Sequence, residues 1–214
     1  GDTKELTQKV LDMGLGMERI AWFSQGTSNM YEAIFPRTLT KVKQRTSIEY
    51  DINLFNKFSN FAGRLNVDEV DDIEKIWAST ARKIGYSKNK LKKEIYPISS
   101  LYAIADHSRT LLFALADGAL PSNSGGGYNL RSIYRRSMDF ANKYNVKLDY
   151  SKLIELHAKE LKPQYPELSK SVKSVQEILK AEERKYTQSK IVSKRIISKI
   201  IKTTVDENKL LELY

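Results

Sequence analysis

The chain has 214 residues, enough for one large domain, or one domain and the edge of another, with a proper hydrophobic core. It has no cysteine and only two histidines, which excludes disulfides and thiolate metal sites and leaves too few histidines for a zinc site by themselves. The excess of 36 lysines and arginines over 26 aspartates and glutamates gives a net charge of +10, which favours a polyanionic partner without identifying it.

No run of about 18 apolar residues is present, and the first residues lack the apolar segment of a signal peptide. The sequence therefore predicts a soluble, cytoplasmic protein without a membrane partner.

The beginning of the chain predicts a strand, a turn and a helix. Val10 and Leu11 suit a short strand, Gly14 and Gly16 permit a tight turn, and helical apolar spacing follows. A lone strand cannot bury itself, so residues 1–35 are expected to be the end of a larger, sheet-containing domain.

The next stretch, residues 36–51, is polar and basic without a clear period, which predicts an extended linker and a domain boundary at its start.

Residues 36–214 are expected to form a helical domain, so the predicted fold class is mainly α. Gly85 is expected to end a first helix over 68–85. A buried helix is predicted from Pro97, in its first turn, to about Gly118. After a flexible glycine run, further helices are expected at 128–144, 149–161, 169–202 and from Asp206.

The glycine turn near the N-terminus is a candidate anion site. Gly14 and Gly16 allow a ligand to approach the backbone, and Arg19 at the start of the following helix can hold a phosphate in a bidentate grip. The alternative is an ordinary glycine turn with Arg19 in a structural ion pair, which the short spacing alone favours.

A second candidate site surrounds Asn123. This residue follows a Pro-Ser turn and precedes glycines, so its amide can present a donor and an acceptor to a base edge. Arg131, Arg135 and Arg136 follow on the next helix at a spacing that can form a phosphate-facing patch. The alternative, equally supported by these residues, is that Asn123 caps the helix and the arginines are solvated.

Two other groups of residues have simpler interpretations. Asp106, His107 and Arg109 share a helix without a suitably spaced nucleophile, which favours a buried ion-pair and hydrogen-bond cluster over acid-base catalysis. Between residues 169 and 203, ten lysines and arginines could follow RNA phosphates or form a solvated face. The apolar positions of the same helix, which are expected to pack, are Ile191, Ile196, Ile197, Ile200 and Ile201. The side chains expected in the core include Trp22, Trp77 and Phe113.

Both candidate sites resemble known motifs. The turn Asp12-Met-Gly-Leu-Gly-Met-Glu-Arg19 resembles motif 3 of the class II aminoacyl-tRNA synthetases, in which alternating glycines precede Glu-Arg at a helix start. Residues 106–136 match, in order and spacing, the pattern DHxRxxxFxxxDGxxPSNxGxGYxLRxxxRR of the alanyl-tRNA synthetase family. The neighbouring AWFSQGTSNMYEAIFP, NVDEVDDIEKIW and YPISSLYAIADH resemble its archaeal form, so the resemblance covers essentially the whole chain.

The resemblance implies a ligase that activates alanine with ATP and Mg²⁺ and transfers it to tRNA(Ala). Arg19 would grip ATP, Asp12 would pair with the ammonium group of alanine, and Gly14 would keep the amino-acid pocket small. The family usually has a small hydroxyl residue after this aspartate, where the chain has Met13.

For the second stretch, the resemblance implies that Asn123 is one of two residues that recognise the G·U wobble pair of the acceptor stem. A G·U pair leaves the guanine amino group unpaired in the shallow minor groove, where an amide oxygen can accept from it. The second recognition residue would be an aspartate immediately after Tyr214. The resemblance also implies that Arg131, Arg135 and Arg136, on the helix after Asn123, bind the tRNA.

The other class II motifs, the zinc-containing editing domain and the dimerisation region of such an enzyme are expected to lie outside this chain. We therefore expect a monomeric, tRNA-binding piece that holds no metal or cofactor and is inactive in aminoacylation by itself. The alternative is a stand-alone basic helical RNA-binding module without an enzyme parent.

Overall fold

The computed structural model describes residues 4–5, 7–8, 10, 14–46, 48–65, 71–147 and 149–200. This part of the chain is helical and contains no β-strand, which confirms the mainly α class. None of its helices is long and apolar enough to cross a membrane. The helices that these residues form are α1 (Met17–Gln25), α2 (Met30–Ile34), α3 (Pro36–Gln44), α4 (Ile52–Ala62), α5 (Ile73–Ile84), α6 (Lys88–Ala116), α7 (Gly125–Lys143), α8 (Tyr150–Leu161) and α9 (Leu168–Ile200).

The long helix α6 belongs to two hydrophobic cores. Its first half packs against α3, α4 and α5 around Leu101 and Tyr102, and its second half packs against α7, α8 and α9 around Leu111 and Leu112. Buried side chains therefore occur all around this helix, as its apolar residues on more than one face predict. The loop between α6 and α7 leaves the second core at the end of α6.

The prediction of an extended linker over residues 36–51 is wrong for its first part, because residues 36–44 form α3. Pro36 occupies the first turn, where a missing N–H costs nothing, and Leu39 and Val42 are buried in the first core. The Glu160 carboxylate on α8 accepts hydrogen bonds from the backbone N–H groups of Arg37 and Thr38, both at 2.9 Å. A distant side chain thus completes the helix start. The residues on both sides of position 36 share one core, and the division into 1–35 and 36–214 stays a prediction.

The strand predicted at the N-terminus is not observed. Leu11 lies outside the described residues, and Val10 is in no strand. The helix predicted from Met17 is confirmed as α1, which has no buried residue. Trp22 was expected in the core but is exposed, whereas Trp77 is buried as predicted and Phe113 is partly buried.

Pro97 does not lie in a first turn. The helix α6 begins nine residues earlier, at Lys88 after a Ser87 cap, and continues through Pro97. Ile95 and Ile98, on either side of the proline, are 2% and 1% exposed. Their burial in the first core favours helical backbone enough to offset the roughly 3 kcal/mol that an interior proline costs. The sequence around Pro97 could not predict a continuous helix, because the stabilising contacts come from residues distant along the chain.

The remaining helix predictions are largely confirmed. Gly85 ends α5 in the left-handed conformation, and Asp149 caps α8 by accepting from the Lys152 backbone N–H. The buried side chains of α9 are Leu168, Val175, Leu179, Glu182 and Tyr186, whereas Ile191, Ile196 and Ile197, which were expected to pack, are exposed. The helix expected from Asp206, Ile201 and Tyr214 lie outside the described residues.

A buried histidine joins α8 to α6. His157 is fully buried, its Nε2 donates to the Ala105 backbone oxygen at 3.0 Å, and its ring meets Phe35 edge-on. The Nδ1 atom is buried and has no hydrogen-bond partner among the described residues. Burial lowers the pKa of His157 from 6.5 to about 4, so the folded protein holds this ring neutral.

Acidification is therefore expected to destabilise the protein through His157. The unfolded chain takes up this proton below its pKa of 6.5, while the folded chain does so only near 4, so stability is lost as pH falls between these values. The share of His157 in the loss from about pH 7.5 to about pH 5 should be about 2 kcal/mol, and His107, whose pKa is also lowered to about 4, adds a separate share. Urea unfolding of the wild type and of a His157 variant at both pH values measures the share of His157. His157→Gln keeps a donor for Ala105 without titrating, and equal pH dependence in the two proteins would contradict the prediction.

Candidate nucleic-acid interface

The loop that carries Asn123, residues 117–124, connects α6 to α7 and is named the Asn123 loop. It begins where Gly118 takes a left-handed conformation with φ of 91°, which turns the chain away from α6. The Ala119 N–H donates to the Ala114 backbone oxygen at 3.0 Å and closes the end of the helix. The loop is thus anchored at its start.

The other end of the Asn123 loop lies directly against the first turn of α7. The Ser122 N–H donates to the Gly127 backbone oxygen at 3.0 Å, and the Ser122 hydroxyl donates to the Ser124 backbone oxygen at 2.7 Å. A Cβ on Gly127 would overlap with the Leu120 backbone oxygen and with Ser122 Oγ. The glycine run predicted to be flexible therefore forms helix, and Gly127 permits a close approach between loop and helix.

The exposed Asn123 side chain is not a helix cap, so that interpretation is wrong. The N-cap of α7 is Ser124, which makes no side-chain capping hydrogen bond. The Asn123 Oδ1 atom instead accepts a hydrogen bond from Nη1 of Arg131, two turns further along α7. An amide oxygen has two lone pairs, so Oδ1 keeps one acceptor position while Nδ2 remains a donor.

Arg131 is also held from its other side by Glu182 of α9. The guanidinium donates from Nε to Oε2 at 3.1 Å and from Nη2 to Oε1 at 3.2 Å, which is a bidentate pair. Lys185 lies 2.9 Å from Oε1 of the same carboxylate. Burial by itself would raise the pKa of Glu182, but the hydrogen bonds from Arg131 and Lys185 outweigh it and hold the pKa below its ordinary value.

The three arginines predicted to form one phosphate-facing patch differ in their surroundings. Arg131 is largely buried and its charge is paired with Glu182. Arg135 is partly buried, and its Nε has no hydrogen-bond partner among the described residues. Arg136 is exposed. The geometry thus separates an arginine that contacts Asn123 from one that is free to meet solvent or a phosphate.

The cluster of Asp106, His107 and Arg109 has contacts typical of structure rather than catalysis. His107 Nδ1 lies 3.0 Å from Ser137 Oγ on α7, and burial together with the nearby charge of Arg136 lowers the pKa of His107 to about 4. Burial raises the pKa of Asp106. Arg109 lies 3.8 Å from Glu18, which connects α6 to α1.

The first candidate site is only partly described. Gly14 is exposed, Arg19 is exposed in the first turn of α1, and Asp12 lies outside the described residues. Arg19 lines an open cleft of about 380 Å³ together with Trp22, Asn29 and Tyr102. Within the part of the chain described here, no group of three or more histidine, cysteine or acidic side chains could hold a metal ion.

The basic residues of α9 are mostly exposed, and two of them are paired. Lys185 contacts Glu182, and Lys190 lies 2.7 Å from Asp139 of α7. Glu182 itself was not singled out from the sequence, where it is one of a few acidic residues in a basic helix. Its role depends on a partner 51 positions away, and no local pattern indicates such a pairing.

Comparison with known proteins identifies the family. The family model described as tRNA synthetases class II (A) matches residues 1–214, and the chain belongs to this family. It is 41% identical over its whole length to the alanine–tRNA ligase of Methanocella arvoryzae and 39% identical over 94% of its length to that of Nitrosopumilus maritimus. These matches cover 25% and 22% of the two relatives, so the chain spans about a quarter of the length of the proteins it matches. The resemblance to archaeal alanyl-tRNA synthetases is thereby confirmed.

Proposed function

We propose that this chain is the part of an alanine–tRNA ligase that recognises the acceptor stem of tRNA(Ala) at its G·U wobble pair, with Asn123 as the base-contacting residue. The observation that carries the proposal is the exposed Asn123 amide, held on an anchored loop with Oδ1 oriented by Arg131. Base recognition requires a polar group in a fixed orientation, because a misplaced amide loses its hydrogen bonds to the base edge.

The charge of the protein supports the same proposal. A net charge of +10 attracts the phosphate backbone, and the exposed lysines and arginines of α9, together with Arg136, offer contacts that do not depend on base identity. Arg135 is a further candidate contact. Asn123 would then add the discrimination that these charges cannot supply.

We further propose that the α1 region completes the amino-acid activation site of the same ligase, which would activate alanine with ATP and Mg²⁺ and transfer it to the tRNA. Arg19 would hold ATP, Gly14 would line the alanine pocket, and Asp12 would bind the alanine ammonium group. Met17 and Phe23 on α1 are 70% and 90% exposed, which suits a helix that packs against further parts of a catalytic domain.

The proposal predicts that the 214-residue chain binds an acceptor-stem minihelix carrying G·U on the order of tenfold more tightly than the same RNA carrying G·C. Fluorescence anisotropy with both RNAs at several salt concentrations measures this. Both affinities should fall steeply with salt, since phosphate contacts are shared, while their ratio should persist.

Equal affinity for the two minihelices would contradict the proposal. That result would favour a general basic RNA-binding module, whose affinity depends on phosphates alone. Absence of salt-dependent binding would exclude both functions and favour a purely structural helical domain.

A further inference from the structure

The Glu182 carboxylate occupies an unusual place for a charged group. It is 2% exposed and contacts Arg131 of α7, in a protein with a net charge of +10. A buried carboxylate is costly unless paired, and one that served only to neutralise charge could do so at the surface at lower cost. The position of Glu182 therefore indicates that its buried pair with Arg131 has a role beyond neutralising charge.

The guanidinium of Arg131 also contacts Asn123, on the side away from Glu182. Arg131 uses Nε and Nη2 for Glu182, at 3.1 and 3.2 Å, and directs Nη1 at Oδ1 of Asn123. Because the guanidinium is planar and rigid, fixing two of its nitrogens on a carboxylate also fixes the direction of the third. The Arg131 side chain is 14% exposed, so it has little freedom to turn towards a phosphate.

We infer that Glu182 is a positioning residue for base recognition, acting through Arg131 to hold the Asn123 amide in one orientation. The inference rests on the proposed function, since it assumes that Asn123 contacts the G·U pair. With Oδ1 turned towards Arg131, one lone pair of this oxygen remains for the guanine amino group, and Nδ2 cannot exchange places with it. Without Glu182, Arg131 would be free to pair with phosphate, and the amide could rotate.

Two substitutions test the chain of contacts. Glu182→Gln removes the charge that holds Arg131, and Glu182→Asp keeps the charge but withdraws the carboxylate by one methylene. The expected result for both is a fall of about threefold to tenfold in the ratio of G·U to G·C minihelix affinity. Affinity for the G·C minihelix should change little, because the phosphate contacts remain. Glu182→Asp keeps a negative charge near the buried guanidinium, so it guards against failure of the glutamine variant to fold.

The matched control is Lys185→Gln, which removes the other cation on the same carboxylate without touching Asn123. It should leave the ratio of the two affinities unchanged, because the loss of a phosphate contact at Lys185 lowers both affinities equally. A merely structural role for Glu182 would lower the melting temperature and weaken both RNAs equally. A positioning role lowers the ratio in protein that remains folded.

The decisive comparison repeats Glu182→Gln and Glu182→Asp in Asn123→Ala protein. If Glu182 acts through Asn123, neither substitution changes the ratio further in that background. An unchanged ratio in a folded Glu182 variant of otherwise wild-type protein overturns the inference alone, as does an equal further loss in the Asn123→Ala background. A wild-type chain that does not prefer G·U overturns the proposed function and this inference together.

Discussion

Gly127→Ala is expected to abolish most of the preference for the G·U minihelix and to destabilise the protein by about 1–3 kcal/mol. The new Cβ would overlap with the Leu120 backbone oxygen and with Ser122 Oγ, and a backbone oxygen cannot move without moving the Asn123 loop. The hydrogen bond from the Ser122 N–H to the Gly127 oxygen would be strained at the same place. Since Asn123 follows Ser122 directly, its amide would leave the position from which Arg131 contacts it.

The control for this substitution is one residue away. Gly126 is in the same helical turn, and a Cβ there would meet nothing within 4 Å. Gly126→Ala should therefore preserve binding and stabilise the helix slightly, since alanine favours helical backbone over glycine. Minihelix titrations and thermal unfolding of both variants measure the contrast. Equal effects of the two substitutions would show that the close contact at Gly127 is unimportant.

Asn123→Ala is expected to reduce the preference for G·U over G·C by about 5- to 150-fold, the range for a base contact worth about 1–3 kcal/mol, or to eliminate a smaller preference altogether. The residual affinity should equal that of the wild type for G·C, because phosphate contacts do not depend on this amide. Asn123 is exposed, so its removal should change the stability by less than about 0.5 kcal/mol.

Asn56→Ala is a suitable comparison, since Asn56 is exposed on α4, a helix of the first core. It should leave both affinities unchanged. If Asn123→Ala retained the full preference while folded, the role proposed for Asn123 would be excluded. Parallel titrations with both minihelices at one salt concentration give the comparison.

The helix ends that the sequence predicts correctly are those with local chemical causes. Gly85 ends α5 because it adopts a left-handed conformation. Asp149 caps α8 because its carboxylate accepts a hydrogen bond from the Lys152 backbone N–H, three residues further along. Pro97 and residues 36–44 were predicted wrongly, because burial in the first core and the distant Glu160 carboxylate overrule the local signals there. Sequence patterns carry no information on such partners.

The candidate site shows the same division. Asn123 could be singled out from the turn residues around it and from its resemblance to the alanyl-tRNA synthetase pattern. The orientation of its amide could not, because it depends on Arg131, eight residues away, and on Glu182, which comes from another helix. The sequence predicts that Arg131, like Arg136, contacts phosphate, whereas in the structure the charge of Arg131 is paired with Glu182.

The proposed role of Asn123 is to accept, at its amide oxygen, a hydrogen bond from the guanine amino group of the G·U pair. A binding measurement tests this contact by replacing that guanosine with inosine, which lacks only the amino group. The affinities of both RNAs are compared for wild-type and Asn123→Ala protein. Inosine is expected to weaken binding to the wild type by about fivefold or more and not to weaken binding to the variant. Equal binding of both RNAs by the wild type, or an inosine effect that persists in Asn123→Ala, would contradict this role.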